Sequence, residues 1–289
     1  VVLLPLTLVP ALLALSWLGA GSTAGEPRVA AALALALVAG VGLGVVEARA
    51  PAPVLPLRLL RGVVGLCAAL TFLIAVALYA CSIYLPLQLQ VVHGLGATRA
   101  GLLMTPMVLA LVVGSVVGGL RVARSGRYRP IVLAGLLALA LGLALLLLGG
   151  VDSPAGTCAA LGVLGLGVGL ALPALTLAAQ NAVAHAQLGV ATALSQLART
   201  LGGIVSVAAL GTLLARWISG VAGGHGADAL QRLRGPAGAD EGPLLRLAIH
   251  DGVVMIVWVA AAVAGLALLC GLALRELPLR RTIDREDPP

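Results

Sequence analysis

The chain is 289 residues long, 61 % hydrophobic and 10 % charged, with a mean hydropathy of +1.12. Soluble domains carry roughly 45–50 % apolar and about 25 % charged residues, and a chain this poor in polar side chains cannot cover a soluble core. A soluble globular enzyme is excluded and an integral membrane protein is implied. The net charge of +7 comes from eighteen arginines and no lysine against eleven acids, a surplus that in so apolar a chain first sets membrane orientation. With one Phe, three Trp and three Tyr, no basic surface interleaved with stacking rings can form, so no nucleic-acid partner is expected.

A helix needs about 20 apolar residues to cross roughly 30 Å of hydrocarbon. Eight stretches qualify, approximately 1–20, 29–46, 62–85, 100–122, 131–148, 157–184, 190–218 and 252–274. None shows dyad alternation, so a β-barrel is excluded and the expected fold is all-α, a polytopic membrane protein of about eight transmembrane helices. The first stretch starts at Val1 with neither an initiator Met nor a basic n-region. It does not read as a cleaved signal, and the chain is expected to be the C-terminal part of something longer. The proline-rich, basic segment 47–61 separates a two-helix hairpin, 1–46, from a six-helix block, 62–274, which is followed by the tail 275–289. Residues 219–250 form one long loop rich in Gly and charge.

Loops 47–61 and 121–130, with the tail, hold eleven arginines and a net charge of +6, whereas the six arginines of the opposite side are balanced by acids. By the positive-inside rule the first side is cytoplasmic, which places the chain in the inner (plasma) membrane. The six-helix block then divides into two three-helix sets entered from opposite sides, as an inverted repeat requires.

Within this frame a few residues stand out. In Gly118–Pro130, GGLRVARSGRYRP, Gly126 permits a tight turn and the arginines either bind helix C-terminal carbonyls or simply anchor topology. Gly162, Gly165, Gly167 and Gly169 with Pro173 make a flat, bendable helix surface, a seam that either moves or packs statically. Gln180 and Asn181 either touch substrate or finish that helix. Arg199, preceded by Ser195 and Gln196, sits deep in a span at a cost of about 2.5–3.5 kcal/mol, so it is expected to face a polar cavity rather than snorkel. Tyr79, Ser82 and Gln88 can present a ring and hydrogen bonds to a ligand, whereas Tyr84 reads as an interfacial anchor. Asp251, beside His250, is the best acid for proton coupling, although Asp is also a preferred N-cap and the last apolar run starts directly after it. Pro86 and Pro106 read as kinks. Cys67, Cys81, Cys158 and Cys270 each lie in apolar runs without metal-ligand spacing, so no metal or cofactor is expected.

The segment Gly119-x-x-x-Ala123-Arg124-Ser125-Gly126-Arg127-Tyr128-Arg129 is similar to the G-x-x-x-D-R-x-G-R-R loop signature of the major facilitator superfamily, in the weaker copy of its C-terminal half. Ala123 stands where the signature has Asp, which removes the carboxylate that would pair across the loop. Residues 84–107, 165–183 and 189–203 resemble the second half of fourteen-span drug:proton antiporters of the EmrB/QacA type. That resemblance implies proton-coupled efflux of small amphipathic compounds, with the bilayer, the substrate, protons and an N-terminal half as partners. It makes 1–46 the hairpin inserted between the two halves and 62–274 the C-terminal bundle. Two alternatives stay open: a membrane-embedded lipid-modifying enzyme, which needs paired acids or a His cluster that the scattered His93, His185, His225 and His250 do not suggest, and a truncated product that transports nothing.

Overall fold

A computed structural model describes residues 26–49, 62–222 and 243–276, together with single positions between 6 and 17. Most of the first apolar run, the linker from residue 50, the middle of the long loop and the tail from residue 277 lie outside the described residues. The described residues form the helices α1 (Pro27–Arg49), α2 (Val63–Val91), α3 (Ala97–Ser125), α4 (Arg129–Leu147), α5 (Pro154–Asn181), α6 (Leu188–Ala222) and α7 (Pro243–Leu272). Single 3-10 turns at Gly150–Asp152 and His185–Gln187 join α4 to α5 and α5 to α6. The six helices from α2 to α7 are each long and apolar enough to cross a bilayer.

Helix ends follow local chemistry. Ser153 caps α5 by accepting the Gly156 amide at 3.0 Å, and Pro154 occupies the first turn, where no amide donor is needed. At the other end of the bundle α3 stops at Gly126, whose φ of 70° a side chain would strain and whose N–H closes on the Val122 carbonyl at 2.9 Å. Pro86 and Pro106 both lie inside continuous helices.

Glycine decides how the helices meet. Gly165 and Gly169 of α5 lie against the backbone of α3 at Met107 and Leu111, and Gly114 returns the contact: a Cβ on it would come within 2.7 Å of the Leu166 carbonyl. One helical face away, Gly167 meets Gly135 and Leu139 of α4, and a Cβ on Gly135 would sit 2.7 Å from the Gly167 carbonyl. Thus α5 is gripped from two sides at backbone distance, which small residues permit and larger ones forbid. The glycine seam expected at 165, 167 and 169 is therefore present as packing. Gly162 does not belong to it, since a Cβ there would meet only Pro106, at 4.0 Å.

Each helix of the set α2–α4 finds its main partners in the set α5–α7. α2 packs on α6 and α7, α3 on α5, and α4 on α5 and α7, while α2 and α3, or α3 and α4, touch little. Exchanging the sets maps α2·α6 onto α3·α5 and α2·α7 onto α4·α5, the pattern of a pseudo-two-fold relation between repeats. α5 is the most buried span and α3 the least, leaving Leu102, Leu109, Val113, Val116 and Leu120 open. α1 lies against the described positions of the first apolar run, with the Arg28 guanidinium 5.9 Å from the Trp17 ring centre and Gly40 beside Thr7.

Two expectations change. The last helix begins at Pro243 and not after Asp251, because the segment PLLRLAIHD before the apolar run continues the same helix. Asp251 is therefore not an N-cap but an exposed residue within α7. Tyr84 is not an interfacial anchor either: it is 6 % exposed and its hydroxyl donates to the Val207 carbonyl of α6 at 3.0 Å, tying α2 to α6.

Candidate functional site

Thr192, Gln196, Arg199, Thr200 and Gly203 lie on α6 at positions that 3.6 residues per turn gathers in an arc of roughly 100°. The face is open, with Thr192, Gln196 and Thr200 exposed and Arg199 half-buried. The two threonines spend their protons on their own helix, Thr192 on the Leu188 carbonyl at 2.9 Å and Thr200 on the Gln196 carbonyl at 3.0 Å, which leaves oxygen lone pairs facing outward. Arg199 lies roughly 16 Å along α6 from Leu188, at 1.5 Å per residue. Neither it nor the Gln196 side chain has a hydrogen-bond or ion-pair partner among the described residues.

Other helices contribute at the two ends of this stripe. Gln180 of α5 donates its amide to the Thr192 hydroxyl at 2.8 Å, and the ring of Tyr79 of α2 lies over Gly203, where a Cβ would come within 2.8 Å of it. Tyr79 remains 38 % exposed, so its ring edges the same open face. Of the residues expected along a substrate path, the fold thus gathers Tyr79, Gln180, Gln196 and Arg199. Ser82 is half-buried with its hydroxyl on the Leu78 carbonyl at 2.8 Å, and Asn181 is half-buried at the end of α5. Gln88 falls elsewhere: it is wholly buried and turned to α7.

The arginine loop divides its labour. Arg121 and Arg124 line an open groove of about 390 Å³ with Val117, Leu120 and Ser125. Arg127, Tyr128 and Arg129 instead grip the C-terminal end of α7. Tyr128 is fully buried and donates to the Arg275 carbonyl at 2.6 Å, Arg129 donates to the Leu272 carbonyl at 3.0 Å, and Arg127 pairs with Glu276 at 3.3 Å. Guanidinium groups on the last carbonyls of a helix satisfy orphan acceptors and meet the negative end of its dipole. Of the two readings of these arginines, carbonyl binding therefore holds for Arg129. The carboxylate missing at Ala123 has a counterpart in Glu276, supplied from beyond α7. Gly119 is helical, and its Cβ direction is open.

A second polar cluster lies at the opposite end of the bundle. His250 Nδ1 is 2.7 Å from Gln88 Nε2, and His250 Nε2 is 3.5 Å from an Asp152 carboxylate oxygen. His93 reaches the neighbouring Val151 carbonyl at 3.2 Å. Asp251, the acid singled out for proton coupling, is exposed, takes no part in this cluster's contacts and has no hydrogen-bond partner among the described residues. The sequence hid the grouping because Gln88 and His250 are 162 positions apart, and the only signal was a histidine at the mouth of a span.

Among the described residues, an all-helical bundle of six span-length helices, arranged as two exchanging sets with a polar stripe on an open face, defines a transporter-type membrane fold. The family model of the Major Facilitator Superfamily matches residues 1–207, and the chain belongs to that superfamily. It is 36 % identical over 159 residues to the "Tetracycline resistance determinant" of Streptomyces rimosus, covering 54 % of this chain and 46 % of that protein. It is 31 % identical over 164 residues to the "Multidrug transporter protein MdtP" of Bacillus subtilis (strain 168), covering 56 % and 30 %. Across 289 positions it is 30 % identical to the MFS-type transporter Rv1877 of Mycobacterium tuberculosis (strain ATCC 25618 / H37Rv), covering 96 % of this chain and 42 % of that one. The chain thus spans less than half the length of these relatives. Among solved structures it resembles a bacterial homologue of the human lysosomal transporter Spinster, with a TM-score of 0.60 at 15 % identity over 86 % of this chain and 56 % of the other. The fucose:proton symporter of E. coli matches with a TM-score of 0.55 at 20 % identity, over 75 % and 50 %. At such identities these two matches speak for the fold alone.

Proposed function

We propose that the chain is the C-terminal portion of a secondary active exporter of small amphipathic compounds or drugs, driven by protons, of the fourteen-span drug:proton antiporter type. In this reading residues 1–46 are the hairpin between the halves, 62–274 the C-terminal bundle, and loops 47–61 and 121–130 with the tail face the cytoplasm of the inner membrane. A six-helix N-terminal half completes the transporter. Drug-resistance and multidrug proteins among its relatives favour this substrate class over the lipid-modifying alternative.

The observation that carries the reading is Arg199. A guanidinium without a partner in the apolar depth of a span is costly and is retained where it meets a water-filled path, a substrate acceptor or an acid of the other half. The stripe around it supplies hydrogen bonds and Tyr79 an aromatic edge, a mixture suited to amphipathic molecules. In vesicles bearing the complete transporter, a pH gradient is expected to drive dye extrusion, and Arg199→Ala to reduce its rate at least about tenfold, equivalent to ~1.4 kcal/mol. Extrusion in Arg199→Ala at the parental rate overturns the assignment of this face.

A further inference from the structure

We propose that His250 is a proton-binding site, built with Gln88 and Asp152, that clasps the two repeats together at the end of the bundle opposite the arginine loop. Gln88 on α2 and Asp152 in the turn after α4 belong to the first repeat, and His250 on α7 to the second. The imidazole is thus a bridge between the two three-helix sets of this bundle. His93 on the Val151 carbonyl holds the same turn from the other side, so the position of Asp152 is fixed by the fold.

The three groups form a gradient of exposure: the side chain of Asp152 is 67 % exposed, that of His250 25 %, and Gln88 is 0 % exposed. Water reaches the carboxylate first and the amide not at all. With Gln88 Nε2 facing Nδ1, the neutral ring accepts at Nδ1 and carries its hydrogen on Nε2, toward a carboxylate at 3.5 Å, beyond good hydrogen-bond length. Gln88 Oε1 meanwhile is buried and has no hydrogen-bond partner.

A proton taken from water onto Nδ1 changes all three relations. Both ring nitrogens become donors, the Gln88 amide turns about its last bond so that Oε1 accepts from Nδ1–H, and Nε2–H faces Asp152 as one half of an ion pair. One amide group of Gln88 lacks a partner in either state, so the difference between the states is the charge-assisted bond and the ion pair. No covalent bond other than N–H forms, and the proton returns to water by the same route. On the elements packed here, the other charged or titratable groups toward this end of the bundle are Cys81 and Tyr84 on α2, His93 on the segment after it, Cys158 on α5, Arg216 on α6, and Arg246 and Asp251 on α7. Protonation therefore tightens the joint between α2, α7 and the 150–152 turn, and its loss loosens it. Proton uptake itself stands apart from the transporter reading, and only its coupling to transport rests on that reading.

The test uses the full chain in lipid nanodiscs with isotope-labelled histidine, whose four imidazoles are followed by NMR as the pH is lowered, His250→Gln identifying the resonance of interest. His250 is expected to take up a proton, with the tautomer of its neutral form hydrogenated at Nε2. Asp152→Asn and Gln88→Leu should each weaken its proton affinity at least about threefold, the effect of losing one partner of the charged form. A His250 that stays neutral, an affinity untouched by both substitutions, or a larger effect from Asp251→Asn than from Asp152→Asn overturns the site. In vesicles of the complete transporter, His250→Gln should abolish stimulation by acid on the side facing Asp152 while substrate exchange without a pH gradient continues. Unchanged acid stimulation overturns the coupling. Should no variant and no parent transport any substrate, it is the transporter reading that fails, and the NMR titration still decides the proton site.

Discussion

At the scale of single residues, the chain spends its few polar groups in places where apolar ones would fold as well. Among the described residues Arg199 and Gln196 have no partner on their open face, and Gln88 keeps an unpartnered carbonyl in the interior. Such groups mark function when an arrangement of other groups converges on them, as at His250. Thr71 of α2 is a contrasting case. It is 4 % exposed, its hydroxyl oxygen is buried without a hydrogen-bond partner, and nothing titratable approaches it. A buried hydroxyl without a partner costs roughly 1–3 kcal/mol, and Val has nearly the same shape. Thr71→Val is therefore expected to stabilise the bundle by about 1 kcal/mol when unfolding is followed in mixed micelles. A loss of stability of that size instead means that the hydroxyl has a working partner in the membrane-embedded protein.

At the scale of elements, α5 is the axis on which α3 and α4 are mounted, and the mounting is made of missing side chains. Gly167 contacts α4 so closely that any Cβ collides with backbone, whereas Gly162 on the same helix has open space. Gly167→Leu is accordingly expected to cost about 3 kcal/mol or to prevent assembly, and Gly162→Ala to change stability by less than about 0.5 kcal/mol. Equal effects in the same detergent unfolding assay would show that the glycines answer to helix propensity and not to contact. The small residues of this seam were legible in the sequence, because close helix approach demands them; that Gly165 and Gly169 serve one partner and Gly167 another follows from the helical spacing, which turns i+2 to a different face. The start of α7 was not legible, since Arg246, His250 and Asp251 interrupt the apolar pattern of its first turns, which became helix by continuation. The clasp of Arg127 to Glu276 escaped for another reason: a loop and a helix end 149 residues apart share no local pattern. Only the anchoring chemistry of the loop, arginine against the last carbonyls of a helix, was readable beforehand.

At the scale of the whole molecule, the two polar clusters occupy opposite ends of a bundle whose repeats interlock. The loop clasp joins α4 to the end of α7 at one end, and the His250 bridge joins α2 and the 150–152 turn to α7 at the other, so α7 is held by the first repeat at both of its termini. The two clasps differ in what releases them. The Arg127–Glu276 pair is exposed and screened by salt, worth roughly 0–1 kcal/mol, and is backed by neutral hydrogen bonds that pH does not alter. The His250 bridge depends on a proton. For this asymmetry to serve export as proposed, the two ends must face different compartments, and the proposed orientation puts the arginine loop on the cytoplasmic side. Ala123 beside the loop and Ala155 just after the 150–152 turn are both exposed and make no polar contacts, so each tolerates cysteine. In a background without Cys67, Cys81, Cys158 and Cys270, a membrane-impermeant maleimide added outside intact cells should label Ala155→Cys and spare Ala123→Cys, and inverted vesicles should reverse the pattern. Labelling of both from one side would place the clasps in the same compartment, and a proton taken up at His250 would then have no gradient to work against the loop.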